Sequence, residues 1–137
     1  MTVNEETKDY MRTISCGDET KPKLVFVHGY GGSGMIFYKL MKPLKDHFHV
    51  ITVDIIGMGA SSRPVVKLNC VNDAENFFVE NFEKWRAAVG LEKFFLAGHS
   101  FGGYVSGLYA CKHPERIEKL FLLSPAGVGN YPDYNFD

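Results

Sequence analysis

The sequence predicts an α/β fold, a mostly parallel sheet with helices on both faces, and three observations carry that expectation. Four short apolar runs, at 24–27, 49–53, 94–97 and 119–123, have the composition of strands buried on both faces of a parallel sheet. Stretches with helical spacing separate them, and such alternation builds parallel sheets through right-handed crossovers. The first three runs are followed by turn-forming residues, His28 to Gly32, Asp54 to Ser62 and Gly98 to Gly102. Open sheets of this kind bind ligands in the loops at the carboxyl ends of their strands.

Composition narrows the function classes. With 137 residues and 45% hydrophobic content, the chain is expected to form one modest domain with a real core. Fifteen basic and 16 acidic side chains give a formal charge of −1, so no nucleic-acid partner is expected. Met1 to Arg12 lacks an apolar leader region, and no run approaches the roughly 18 apolar residues of a membrane span, so no integral membrane segment is expected. Cys16, Cys70 and Cys111 are odd in number and lack C-x-x-C spacing; reduced thiols in a cytoplasmic setting fit them better than disulfides or zinc. No histidine pair has the i, i+4 spacing of a helical zinc site, and neither metal nor cofactor is expected.

Taken in order, residues 1–9 are polar and expected to be a flexible, frayed N-terminus, with the domain proper at 10–137. Residues 10–15 alternate as an outer strand would, and Leu24 to Val27 is the first buried strand. Ile36, Phe37, Leu40, Met41 and Leu44 then follow helical spacing, with Pro43 expected to end or kink the helix. His49 to Val53 is the next strand, and 55–69 is a loop. In the longest helix, Asn72 is the expected N-cap with Glu75 three residues on, and Phe78, Phe82, Trp85 and Val89 form the apolar stripe before Gly90 stops it. Phe94 to Ala97 is the third buried strand, 101–112 the next helix, Lys119 to Leu123 a fourth buried strand, and the remainder to Asp137 loop.

The site chemistry centres on Gly98-His99-Ser100-Phe101-Gly102, a G-x-S-x-G pattern directly after a buried strand. Such a turn is a nucleophile elbow: the strand enters a bend tight enough to strain the serine, and glycines avoid collisions with neighbouring elements. Ser100 is the candidate nucleophile. Phe101 opens a helix, whose free N-terminal N–H groups point to where an oxyanion would form. His99 lies inside the elbow and is expected to pack there. His28 is expected to hydrogen-bond and shape the glycine turn after it, and Asp54 to tie down the 57–62 loop through backbone N–H groups.

A competing pattern overlaps. Gly29 to Gly34 also matches G-x-G-x-x-G, with Asp54 about where a ribose-binding acid would lie, so dinucleotide binding is an alternative. His28 before the glycines favours an HG-x-G-G oxyanion turn instead, and the dinucleotide reading has no use for the elbow.

Together, HGYGGSG at 28–34, DIIGMGASSRP at 54–64, GHSFGGY at 98–104 and HPERIEKLFLLSPAGV at 113–128 resemble the α/β-hydrolase superfamily. Within it they look like the abhydrolase-domain group of lysophospholipases, acyltransferases and lipase coactivators. The resemblance implies a serine hydrolase acting on carboxylic esters, with lipid acyl esters as substrate and contact with a membrane or lipid-droplet surface only peripheral. It implies that Ser100 is the nucleophile and that the Phe101 and Tyr30 N–H groups form the oxyanion hole. Gly29, Gly31 and His99 would border the substrate. In this chemistry a carboxylate and then a histidine follow the serine along the chain. The only later histidine is His113, expected ~18 Å away along the helix after the elbow at ~1.5 Å per residue. Glu115, Glu118, Asp133 and Asp137 do not follow the strand position expected of the acid. The sequence is therefore expected to hold the N-terminal part of the fold, ending before the acid, the histidine and the cap. A non-catalytic protein binding an acyl ligand or a lipase partner is the alternative from another class.

Overall fold

A computed structural model describes residues 1–127 of the chain. The loop expected for the last residues to Asp137 lies, from 128 on, outside the described residues. The elements are β1 (Thr2–Asn4), β2 (Asp9–Tyr10), β3 (Thr13–Cys16), β4 (Lys23–Val27), a 3-10 turn (Gly34–Phe37), α1 (Tyr38–Leu44), β5 (His49–Val53), α2 (Val71–Ala88), β6 (Phe94–His99), α3 (Phe101–Lys112), a second 3-10 turn (Pro114–Arg116) and β7 (Ile117–Leu123).

The main sheet has five strands in the order β3-β5-β4-β6-β7. β3 is antiparallel to β5, and the other pairings are parallel. From β4 the chain moves outward to β5 and then returns to the other side of β4 as β6. The carboxyl ends of β4 and β6 thus flank the point where the winding reverses, the place where such sheets bind ligands.

Strand alternation sends side chains to two cores. Val25, Val27, Ile51, Val53, Phe94 and Leu96 pack with Val79, Phe82 and Trp85 of α2 and Tyr109 of α3. On the other face, Leu24, Phe26, Val50 and Ala97 meet Phe37 and Met41. Helices therefore cover both faces, as the apolar strand runs require. Trp85 is fully buried and donates its indole N–H to Thr13 Oγ1 at 2.8 Å, tying α2 to β3.

Several elements differ from the sequence expectation. Residues 1–9 were expected to lack structure, yet β1 and β2 form a small antiparallel hairpin. Its anchor is Val3, which joins the α2-side core with Met11 just beyond, while Met11 N donates to Met1 O at 2.9 Å. Cys70, not Asn72, is the N-cap of α2; Asp73, three residues on, reaches back to accept the Asn69 N–H at 3.0 Å. The α2 stripe includes Val79 and, unexpectedly, Arg86. Burial of that guanidinium is matched by Glu83, whose oxygens accept Nε and Nη2 at 2.8 Å each, and by Leu91 O, which accepts Nη1. Pro43 lies in the last turn of α1, which ends one residue later. The fourth strand is not buried as expected: Phe121 is 44% exposed, with Leu122 and Leu123 similarly open. Among the described residues β7 pairs with β6 alone, so its apolar side chains lack the covering that a central strand receives.

Replacing Trp85 by Ala in the complete protein is expected to cost about 3–5 kcal/mol in denaturant unfolding, because a fully buried indole leaves a cavity and its hydrogen bond to Thr13 Oγ1 is lost. The neighbouring exposed Lys84→Ala is expected to stay within about 0.5 kcal/mol.

Candidate active site

The chain leaves β6 at His99 and enters α3 at Phe101, so Ser100 alone makes the turn. Its backbone adopts φ 53° and ψ −121°, a conformation costing a non-glycine residue about 1–3 kcal/mol. Local hydrogen bonds hold it there. Ser100 N donates to Leu123 O at 3.1 Å, and Ser100 O accepts from Gly103 N at 2.9 Å, Tyr104 N at 3.1 Å and Ala126 N at 2.9 Å. The end of β7 thereby braces the turn. Gly102 permits the approach of α3 to the sheet, since a Cβ there would overlap the carbonyl oxygens of Val27 and His28.

Parallel pairing sets what lies opposite. Val27 pairs with Gly98, and continuing that offset past the strands places Gly29 beside Ser100 and Tyr30 beside Phe101. The geometry agrees: a Cβ on Gly29 would lie 3.1 Å from Ser100 Cβ and 3.5 Å from its Oγ. The Tyr30 and Phe101 rings stand edge to face, with centroids 6.4 Å apart and planes at 89°. Gly32 N donates to Gly29 O at 3.1 Å and Gly31 has φ +66°, so Tyr30 and Gly31 are the central residues of a type II turn. The turn's own hydrogen bond uses neither of their N–H groups. Phe101 N–H, in the first turn of α3, has no intrahelical acceptor.

Two buried polar side chains fix the loops. His28, fully buried, sets Nδ1 2.7 Å from Gly29 O, and its Nε2 accepts the Ile55 N–H at 2.9 Å. These partners define a neutral ring with the proton on Nδ1, and burial holds its pKa below the usual histidine value. Asp54 Oδ1 accepts Gly34 N at 2.6 Å, Oδ2 accepts Ala60 N at 2.8 Å, and its carbonyl accepts Ser61 Oγ at 2.7 Å. Asp54 thus ties the 57–62 loop as expected and, beyond the expectation, the 3-10 turn following the glycines. With both carboxylate oxygens bound to backbone and the side chain buried, Asp54 is not displayed to a ribose.

The remaining expected residues divide by position. Gly29, Tyr30, Gly31, His99, Ser100 and Phe101 all lie at the carboxyl ends of β4 and β6. The His99 Nδ1 atom is buried, faces Gly29 and has no hydrogen-bond partner among the described residues. His49 starts β5 at the amino end of the parallel strands, opposite the site, with His47 two residues before it. His113 follows the far end of α3, stacked on Tyr109 with centroids 4.9 Å apart and 3.7 Å from Glu115. Glu118 pairs with Lys93 at 3.7 Å. Asp133 and Asp137 lie outside the described residues. Sequence reasoning missed the stack of Phe101 against Tyr30 and Phe78, although the β4–β6 offset would have revealed its first half. Among the described residues no helix is long and apolar enough to cross a membrane, and no group of three His, Cys, Asp or Glu is placed to hold a metal ion.

Comparison with known proteins gives a consistent lineage. The family model for the alpha/beta hydrolase fold matches residues 22–137. The chain is 44% identical over 125 residues to a 1-acylglycerol-3-phosphate O-acyltransferase of Arabidopsis thaliana, covering 90% of this chain and 30% of that protein. It is 34% identical over 127 residues to a (lyso)-N-acylphosphatidylethanolamine lipase of Mus musculus, covering 93% of this chain and 37% of that one. The crystal structure of a membrane phospholipase A, a bacterial virulence factor, superposes with a TM-score of 0.79 at 32% identity, covering 87% of this chain and 37% of that one. The chain thus spans well under half the length of these proteins, and its ancestry is enzymatic.

The His28 arrangement generates a pH prediction. Its folded pKa lies below the unfolded value of 6.5, so below that pH the unfolded chain takes up a proton that the native ring does not. Stability is expected to fall as pH drops from 7 to 5. A His28→Gln variant of the complete protein is expected to lose less over the same interval, measured as unfolding midpoint against pH.

Proposed function

Because the chain belongs to the α/β-hydrolase fold family, we propose that it carries the nucleophile and oxyanion site of a serine enzyme acting on carboxylic esters. The observation that carries the reading is the strained Ser100 backbone at the β6–α3 junction, with the Gly29 to Gly32 turn against it. A serine held at positive φ and braced by four backbone hydrogen bonds needs a reason beyond connecting two elements.

In this reading Ser100 Oγ attacks the ester carbonyl and its proton passes to a base. The Phe101 and Tyr30 N–H groups stabilise the tetrahedral oxyanion, with Gly31 N–H adjacent. The carbon–oxygen bond to the alcohol breaks, that alcohol leaves with the proton, and an acyl-Ser100 remains. Water then completes hydrolysis, or an acceptor hydroxyl completes acyl transfer. Gly29, Gly31 and His99 border the substrate. Residues 10–137 are then a partial domain ending before the segments that supply the acid and the histidine. The named relatives act on lipid acyl esters, which makes that class the favoured substrate and peripheral contact with a membrane or lipid droplet the favoured setting.

A second reading is a non-catalytic acyl-ligand or lipase-partner binding protein. Labelling of the complete protein by a serine-directed phosphonate separates the two. The enzyme reading expects labelling that Ser100→Ala abolishes; retained labelling in that variant removes Ser100 as nucleophile, and an unlabelled wild type supports the binding protein.

A further inference from the structure

We propose that the Tyr30 side chain is a positioning residue: its ring, standing against Phe101, sets the spacing of the two backbone N–H groups at 30 and 101. The inference rests on the reading of Ser100 as nucleophile.

Phe101 is gripped on its inner side. Its ring meets Phe78 of α2 at 5.1 Å and 82°, and Phe78 in turn meets Phe77 at 5.3 Å and 73°. The α3 end of the site is therefore fixed by the packing of α2. The opposite end is held by hydrogen bonds rather than by rings: Gly29 O, in the peptide that carries the Tyr30 N–H, accepts from Gly32 N at 3.1 Å and lies 2.7 Å from His28 Nδ1. Tyr30 has one glycine before it and two after it, so neighbouring side chains do not limit the tilt of its peptides, and the ring of Tyr30 adds a contact to those hydrogen bonds. The turn's hydrogen bond spans the Tyr30–Gly31 peptide without using it, and the Tyr30 ring contact reaches this middle of the turn.

The Tyr30 ring is 82% exposed, so burial in a core does not explain a large aromatic there. Its one aromatic contact among the described residues is the Phe101 ring, edge to face at 6.4 Å. That contact joins the two residues whose N–H groups would share one oxyanion. A row of rings, Tyr30 to Phe101 to Phe78, thus links the glycine turn to α2. The phenol hydroxyl has no part in this; the ring edge does the positioning. Edge-to-face pairs are worth a factor of about two to ten in equilibrium, which sets the scale of the effect.

The test is the rate of phosphonate labelling at Ser100 in the complete protein, resolved into kinact and KI. Tyr30→Ala is expected to lower kinact about two- to tenfold with KI and the thermal midpoint unchanged, and Tyr30→Phe to restore kinact. Phe101→Leu, which keeps its backbone N–H, is expected to lower kinact too, and the double variant to lose less than the two single losses combined. An unchanged kinact in Tyr30→Ala, a change in KI alone, failure of Tyr30→Phe to restore the rate, or fully additive losses would each overturn the positioning role and leave the nucleophile in place. A wild type labelled elsewhere than Ser100 would remove the nucleophile reading and this inference with it.

Discussion

The site depends on one constraint, the parallel pairing of β4 with β6 in a fixed register. Val27 opposite Gly98 determines that the chain leaving β4 passes Ser100 at Gly29, and that Tyr30 comes level with Phe101. A slip of one residue would turn every side chain of a strand to the other face and is blocked by two filled cores. The same register lets Gly102 press the start of α3 against the carbonyls of Val27 and His28. Sheet packing, helix position and the spacing of the site are therefore one quantity.

Irregular backbone at the carboxyl ends of the strands needs polar partners, since buried peptide groups left unpaired are costly. Two side chains meet much of that need. His28 closes the glycine turn on itself and reaches across to Ile55. Asp54 binds one N–H from each of two loops and so locks them together. Each acts as a neutral or purely accepting partner of backbone, and each is buried. Rigid loops on a rigid sheet are what a preorganised oxyanion site requires, because donors aimed in advance need no rearrangement during reaction.

Much of this was legible in the sequence for identifiable reasons. Apolar runs at 24–27, 49–53 and 94–97 mark strands buried on both faces, and small residues after Ser100 mark a helix lying close to the sheet. Glycines around Ser100 and after His28 disclosed the two turns. Less could be read where one residue decides the outcome. Val3 alone anchors a hairpin within a polar stretch, and Arg86 is buried because Glu83 and Leu91 O receive it. The run at 119–123 announces a strand but not how many neighbours it has, so its exposure was invisible. Tyr30 reads as a loop residue until the register sets it beside Phe101.

Kinship with acyltransferases, lipases and a phospholipase gives the proposed chemistry a direction, and the strained serine is the location we propose for it. The claim joining the two is that an acyl group resides on Ser100 during turnover. The most direct measurement is rapid acid quench of the complete protein with a p-nitrophenyl acyl ester, followed by peptide mass spectrometry. An acyl adduct is expected on the peptide containing Ser100, formed with the release of nitrophenol and lost on further incubation. An ester turned over with no adduct on that peptide, or with the acyl group on another residue, would contradict it.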